Sequence, residues 1–302
     1  MTPVVRAGTA TAPDGAILAW RAEGSGPRAL IACNGIGVST FFWRHLAQHF
    51  ARLGSYTFVI WDYRGHGRSP VAEHPESMTV AGCASDLWTV ADSVGIGQAV
   101  LLGHSMGSQV ILEALRQQPD RVLALSPMMG AAGKVVDSFL GGALLPSMRL
   151  LVELGAANAA LAQRVLRAAL RLPGVWEAVR ALGIVHPDLC PREEFEPYFE
   201  HLSQLDLRGY FALARDLLSH DASDLLGQVR VPTLVVAAER DLFAPAARSR
   251  EMAAKIEGAE LLVLREGSHA ALVEQPELVA LTLEKFLGAV AQGRLAPISA
   301  GR

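Results

Sequence analysis

The chain has 302 residues, 51% of them hydrophobic, and a formal net charge of -3. That length holds one large α/β domain or two smaller ones with a full core, and the mild acidity without a basic run argues against a nucleic-acid partner. The three scattered cysteines, Cys33, Cys83 and Cys190, show no metal spacing and read as buried free thiols of a reducing compartment. Met1 to Arg6 lacks the long apolar core of a signal peptide. No apolar stretch approaches the ~18 residues of a membrane span. A cytoplasmic protein without stable membrane insertion is expected.

In chain order, the first two strands read as a hairpin around Pro13-Asp14-Gly15. Strands follow at Ala29 to Cys33 and Tyr56 to Trp61. Met78 to Val94 places Leu87, Val90, Ala91 and Val94 on one apolar helical face. Gln98 to Leu102 reads as a buried parallel strand, and Ser108 to Gln117 as a helix ended near Pro119. Val122 to Leu125, Thr233 to Ala237 and Glu260 to Leu264 bring the strands to eight. The last helix runs from about Pro276 to Val290. Such alternation predicts an α/β fold, a mostly parallel eight-stranded sheet with helices on both faces.

The alternation fails over residues 131–223. This stretch is rich in Ala, Leu and Arg, with breaks at Pro146, Gly155, Pro173-Gly174 and Pro187. It reads as several short amphipathic helices inserted between core strands. The expected division is therefore a core of residues 1–130 and 224–302 and a helical cap over 131–223, a lid made apolar for an apolar substrate. A helical subdomain that only buries its own faces is the alternative. An apolar cap also allows a homodimer contact.

The segment with most chemical content is Gly103-His104-Ser105-Met106-Gly107. An apolar strand running through Gly-x-Ser-x-Gly into a helix describes a sharp turn that holds a serine hydroxyl proud of the backbone. The pattern alone arises by chance roughly 0.1 times in such a chain, so its setting carries the weight.

Four segments together resemble the α/β-hydrolase fold family, its esterase-like members with a helical cap in particular, over about residues 15–130 and 220–290. Cys33-Asn34-Gly35-Ile36-Gly37 stands where that family usually has His-Gly. Trp61 to Ser69 resembles its Asp-x-Arg-Gly-x-Gly-x-Ser loop. Gly103 to Gly107 is the nucleophile turn. The fourth is an acid and histidine pair near the C-terminus.

In this family the nucleophile, acid and base come in the order Ser, Asp or Glu, His. The resemblance makes Asp241, in Asp241-Leu242-Phe243-Ala244-Pro245, the acid, with Glu239 as the fallback. Arg265-Glu266-Gly267-Ser268-His269 resembles the family's histidine loop and makes His269 the base. The other eight histidines fit less well by position: His66 lies in the Arg-Gly loop, and His104 is expected to point off the turn. His186, His201 and His220 lie in or beside the cap, and His45, His49 and His74 at surface or helix positions. The resemblance implies oxyanion donors at the backbone N–H groups of Met106 and Ile36, with Gly35 and Gly37 letting that loop approach substrate. Asn34, replacing the usual His, either orders the loop or forms an ordinary Asn-Gly turn.

Asn34, Phe42 and Trp43 are candidate substrate contacts, although Phe41, Phe42 and Trp43 could instead anchor the first helix. Asp62 and Arg64 are expected to be structural. No metal or organic cofactor is implied. The reading is a serine hydrolase acting on a carboxylic ester of a fairly apolar small molecule through an acyl-enzyme. Carbon–carbon bond hydrolysis, perhydrolysis or acyl transfer on the same triad are alternatives, as is a small-molecule receptor. Dehalogenase and epoxide hydrolase relatives carry Asp at the position of Ser105.

Overall fold

The computed structural model describes residues 3–75, 78–134 and 145–295. Strands β1 (Val5–Thr11) and β2 (Ile17–Glu23) form an antiparallel hairpin. Its turn uses Gly15 at φ 87°, a left-handed conformation that favours glycine. Next come β3 (Arg28–Cys33), α1 (Arg44–Arg52), β4 (Tyr56–Trp61), α2 (Val80–Val94), β5 (Ala99–His104), α3 (Gly107–Gln117) and β6 (Val122–Met128). Among the described residues, five α-helices follow: α4 (Leu145–Ala157), α5 (Ala159–Leu170), α6 (Val175–Ala181), α7 (Arg192–Gln204) and α8 (Leu207–Leu217). Then follow β7 (Leu234–Ala238), α9 (Ala246–Lys255), β8 (Glu260–Leu264), α10 (Ala271–Glu274) and α11 (Pro276–Ala291).

The eight strands make one sheet in the order β1-β2-β4-β3-β5-β6-β7-β8. Only β2 pairs antiparallel, with β1 and β4; the other pairings are parallel. Strands β4 and β5 are buried at every position, as a parallel sheet covered on both faces requires. The side chains alternate between two layers. Ile31, Cys33, Val59, Trp61 and Leu101 pack with α2 and α3. Leu30, Ala32, Phe58, Ile60, Val100 and Leu102 pack with α1 and α11. A one-residue slip would exchange the two sets, so this alternation fixes the register.

Chain order also fixes where a ligand can sit. After β3 the chain goes to one side to make β4, then returns to the other side of β3 to make β5. Their carboxyl ends diverge there and leave a crevice, the usual ligand position in open α/β sheets.

Strands β3, β5, β6 and β7 differ from the sequence reading by one to three residues at one or both ends. Strand β6 continues through Ser126 and Pro127 to Met128, in register with Leu102, Gly103 and His104. Ser126 loses its polarity to a 2.8 Å hydrogen bond onto the Leu234 carbonyl. Helix α2 starts two residues late because Thr79 caps it, its hydroxyl accepting from the Gly82 N–H. As expected, Asp62 and Arg64 serve the scaffold. Buried Asp62 accepts from Ser39 Oγ at 2.6 Å and the Arg68 N–H at 3.1 Å. Arg64 grips the carboxylates of Asp86 and Asp14.

Polar contacts tie the stretch holding α4–α8 to helices α1, α2 and α10 of the rest of the fold. Glu194 of α7 meets Arg44 and, at 2.6 Å, His45 of α1. Glu274 of α10 accepts from the His186 N–H at 2.7 Å. Asp216 of α8 accepts from the Val80 N–H at 2.8 Å. Leu150, Leu151 and Leu154 of α4 stay more than half exposed, so the insertion does not bury all its own apolar faces. Among the described residues, no helix is long and apolar enough to cross a membrane.

Candidate active site

Ser105 stands between the end of β5 and the start of α3 with φ 56°. A non-glycine residue rarely holds that conformation, and the cost of order 1–3 kcal/mol persists only where the surroundings enforce it. Here they do. The Ser105 N–H donates to the Met128 carbonyl at 2.9 Å. A Cβ on Gly103 would lie 2.3 Å from the Gly107 carbonyl oxygen, and one on Gly107 would lie 2.3 Å from the Cys33 oxygen. Both flanking positions must therefore be glycine. Met106 immediately precedes α3, so its N–H sits at a helix N-terminus, where backbone donors lack intrahelical partners and the dipole favours negative charge.

His269 follows β8. Its Nδ1 lies 2.7 Å from Asp241 Oδ2, and the Asp241 side chain is wholly excluded from solvent. The second carboxylate oxygen of Asp241 accepts the N–H groups of Phe243 and Ala244, each at 2.8 Å. This carboxylate is thus fixed in position and orients the imidazole, leaving Nε2 as the ring nitrogen available for proton transfer. Glu239 is exposed, and its carboxylate lies 3.4 Å from the Glu266 N–H. Asp241 is the carboxylate that meets His269.

The loop after β3 carries Gly35, Ile36 and Gly37. Gly37 has φ 71°, and its N–H donates to His66 Nε2 at 3.1 Å. His66 must therefore be neutral there, with Nδ1 3.1 Å from the Arg64 carbonyl. Burial, partly opposed by that carbonyl contact, pushes the His66 pKa down to about 4. Ser105, His269, Met106 and Ile36 line one cavity of about 550 Å³.

Phe42 is part of the cavity wall, but Asn34 and Trp43 are not. Both are fully buried beneath it. Asn34 Nδ2 donates to the Trp61 carbonyl at 2.7 Å, and Asn34 Oδ1 accepts from Trp43 Nε1 at 2.9 Å. The Asn34 carbonyl accepts from Tyr63 Oη at 2.8 Å. With each end spent on the core, Asn34 braces the loop, and the expectation that Asn34 and Trp43 touch substrate is corrected.

A profile of the α/β hydrolase fold matches residues 28–276. The chain belongs to the α/β-hydrolase fold family. Relatives named "Putative carbamate hydrolase RutD" share 27% identity over 261 residues in Pseudomonas savastanoi pv. phaseolicola, covering 86% of this chain and 93% of the relative. The protein of that name from Stutzerimonas stutzeri shares 26%, covering 82% and 87%. An esterase of Exiguobacterium antarcticum has a like fold, with a TM-score of 0.75 and 21% identity, covering 94% of this chain and all of the other. A thermophilic esterase from Thermogutta terrifontis gives 0.75 and 22%, covering 94% and 99%.

Four features of this α/β-hydrolase were not foreseen. His104 does not point away from the site. It lines the cavity, and its Nε2 lies 3.0 Å from the backbone carbonyl of His269. Its ring centroid lies 4.8 Å from that of His269. Burial, helped by the nearby His269 ring, lowers its pKa well below the ordinary value. Neutral His104 therefore donates from Nε2. Glu274 clamps the histidine loop, accepting Ser268 Oγ at 2.5 Å and the Ser268 N–H at 2.8 Å. Gly130 is obligatory, since a Cβ there would lie 2.2 Å from Ser108 Oγ and 2.6 Å from the Ser105 oxygen. His66 completes the set. His66, His104 and Gly130 act on residues brought near only by the fold, whereas Glu274 lies six residues from Ser268 and reaches the distant His186 N–H as well.

The wall of the hydrolase cavity carries no Asp, Glu, Lys or Arg among the described residues. Nor do three His, Cys, Asp or Glu side chains converge as a metal site among them.

Proposed function

We propose that this α/β-hydrolase cleaves a carboxylic ester of a neutral, largely apolar small molecule through Ser105, His269 and Asp241. The observation that carries this is the 2.7 Å His269–Asp241 contact in a cavity that His269 shares with Ser105, held at φ 56°. His269 takes the serine proton as Oγ attacks the acyl carbonyl. The developing oxyanion is met by the N–H groups of Met106 and Ile36. His269 then protonates the leaving alcohol, and water resolves the acyl-enzyme by the same steps. Asp241 keeps the imidazole in the required tautomer and steadies its charged form.

The helices between β6 and β7 act in this reading as a cap, supplying much of the apolar wall. A charged substrate would leave water for a cavity whose described walls offer no counter-ion, a cost of several kcal/mol. The relatives' name suggests carbamate cleavage. An uncharged carbamate ester fits the same chemistry, whereas a carbamate anion fits this wall poorly.

Steady-state hydrolysis of p-nitrophenyl esters of increasing acyl length tests the proposal. Wild type should prefer medium, uncharged chains, and Ser105→Ala should lose at least about a thousandfold in kcat. Equal rates for the two proteins would overturn it. Tight ligand binding with negligible turnover would favour a receptor instead.

A further inference from the structure

Two tyrosines in the cavity wall have a role that the ester chemistry leaves unassigned. Tyr198 comes from α7 and Tyr210 from α8, and both line the cavity that holds Ser105. Tyr210 lies against the oxyanion loop, its Cε2 3.2 Å from where a Cβ on Gly37 would stand. Tyr198 is fixed by ring contacts to Phe195 and Phe41, with centroids 4.9 and 6.4 Å away.

Among the described residues, neither phenolic hydroxyl has a hydrogen-bond partner. Both tyrosines are only partly buried and line the cavity, and a tyrosine hydroxyl in so amphipathic a place usually takes a partner. These two are set in an otherwise apolar wall containing Phe42, Phe195 and Leu217. Burial raises the pKa of both, and Tyr210 lies close enough to push Tyr198 higher still. Both hydroxyls remain protonated donors throughout the working range of a serine hydrolase.

We propose that the Tyr198 and Tyr210 hydroxyls form a specificity subsite that takes a neutral hydrogen-bond acceptor of the substrate, a ketone, ether or second ester oxygen, separate from the scissile carbonyl. The inference rests on Ser105 being the reacting centre. It adds to that reading the claim that a plain hydrocarbon chain is not the best acyl group. A substrate presenting an acceptor satisfies both donors and keeps the remaining wall apolar. A carboxylate gains the same donors but brings a charge that no cation among the described wall residues balances.

The test compares p-nitrophenyl heptanoate with three isosteres in which a ketone replaces the methylene at the fourth, fifth or sixth carbon. A fourth probe ends in a carboxylate. Each is measured in wild type, Tyr198→Phe, Tyr210→Phe and the double variant, whose folding is checked by near-ultraviolet dichroism. In wild type at least one keto ester should exceed the plain ester about five- to tenfold in kcat/KM, the size of a hydrogen bond's net worth. That ratio should fall toward one in the double variant, and the carboxylate probe should be the poorest.

Affinities of the same esters for Ser105→Ala, measured by calorimetry, should show the same keto preference without turnover. Ratios near one in wild type, or a preference that survives in the double variant, would overturn the subsite while leaving the esterase reading intact. The binding preference without any Ser105-dependent turnover would do the reverse.

Discussion

His104 Nε2 donates to the backbone carbonyl of His269 across 3.0 Å. The residue preceding Ser105, the proposed nucleophile, therefore holds the loop of His269, the proposed base, and two chain segments far apart in sequence are tied together. His104→Leu removes that donor and leaves the His269 carbonyl unpaired. It should lower kcat about ten- to a hundredfold, in keeping with about 1–3 kcal/mol for an unsatisfied buried group. His104→Gln, which keeps an N–H, should recover part of the loss. Equal rates in all three proteins would remove His104 from the positioning scheme.

Asp241 and Glu239 lie two residues apart, yet it is Asp241 that meets His269, the proposed base, while Glu239 meets the Glu266 N–H. Asp241→Asn should reduce kcat by about four orders of magnitude, as expected when an imidazole loses its orienting carboxylate. Glu239→Gln, at an exposed carboxylate, should stay within about threefold of wild type. Reversed effects in ester assays would move the acid to Glu239.

The Glu274 carboxylate accepts three hydrogen bonds, from Ser268 Oγ, the Ser268 N–H and the His186 N–H. It thereby joins the histidine loop to the inserted helices. Glu274→Ala leaves these donors buried and unpaired and should cost about 2–4 kcal/mol. Thermal denaturation should show a drop of several degrees or more, with a smaller drop for Glu274→Gln. An unchanged Tm would show that this clamp is not part of the fold's stability.

Burial depresses the pKa of His66 to about 4 and that of His201 to about 4, the latter further lowered by His66. The unfolded chain protonates them near pH 6.5. Between these values the unfolded state binds more protons, so stability rises with pH from about 4 to about 6.5 and is flat above, as far as these groups matter. Raised Asp62 and Asp86 pKa values, both caused chiefly by burial, oppose the trend at its acid end. Replacing the partly buried His201 by Phe should flatten the slope of Tm against pH in this window. An unaltered slope would mean that His201 titrates normally in the folded protein.

The legible parts of the molecule were those written locally. Tyr56 to Trp61 and Glu260 to Leu264 are apolar runs with clear ends, and both strands have those bounds. Gly103 and Gly107 declare the turn because a side chain at either would strike the backbone. Helix α9 went unread because its few buried positions, Ser249 and Met252 among them, make no apolar stripe. Strand β6 looked finished at Leu125 because Ser126 and Pro127 resemble a turn. Asn34 orders its loop, one of its two sequence readings, but its expected substrate contact fails because the fold brings Trp43 and Trp61 to its amide. His104 lies beyond local reading for the same reason, its partner being 165 residues away.

The most direct test of the account is covalent labelling with a fluorophosphonate, counted by intact mass and located by peptide mapping. It predicts one label per chain, on Ser105, abolished in Ser105→Ala and slowed in Asp241→Asn. Absence of label on folded wild type, or label on another residue that persists in Ser105→Ala, would contradict it.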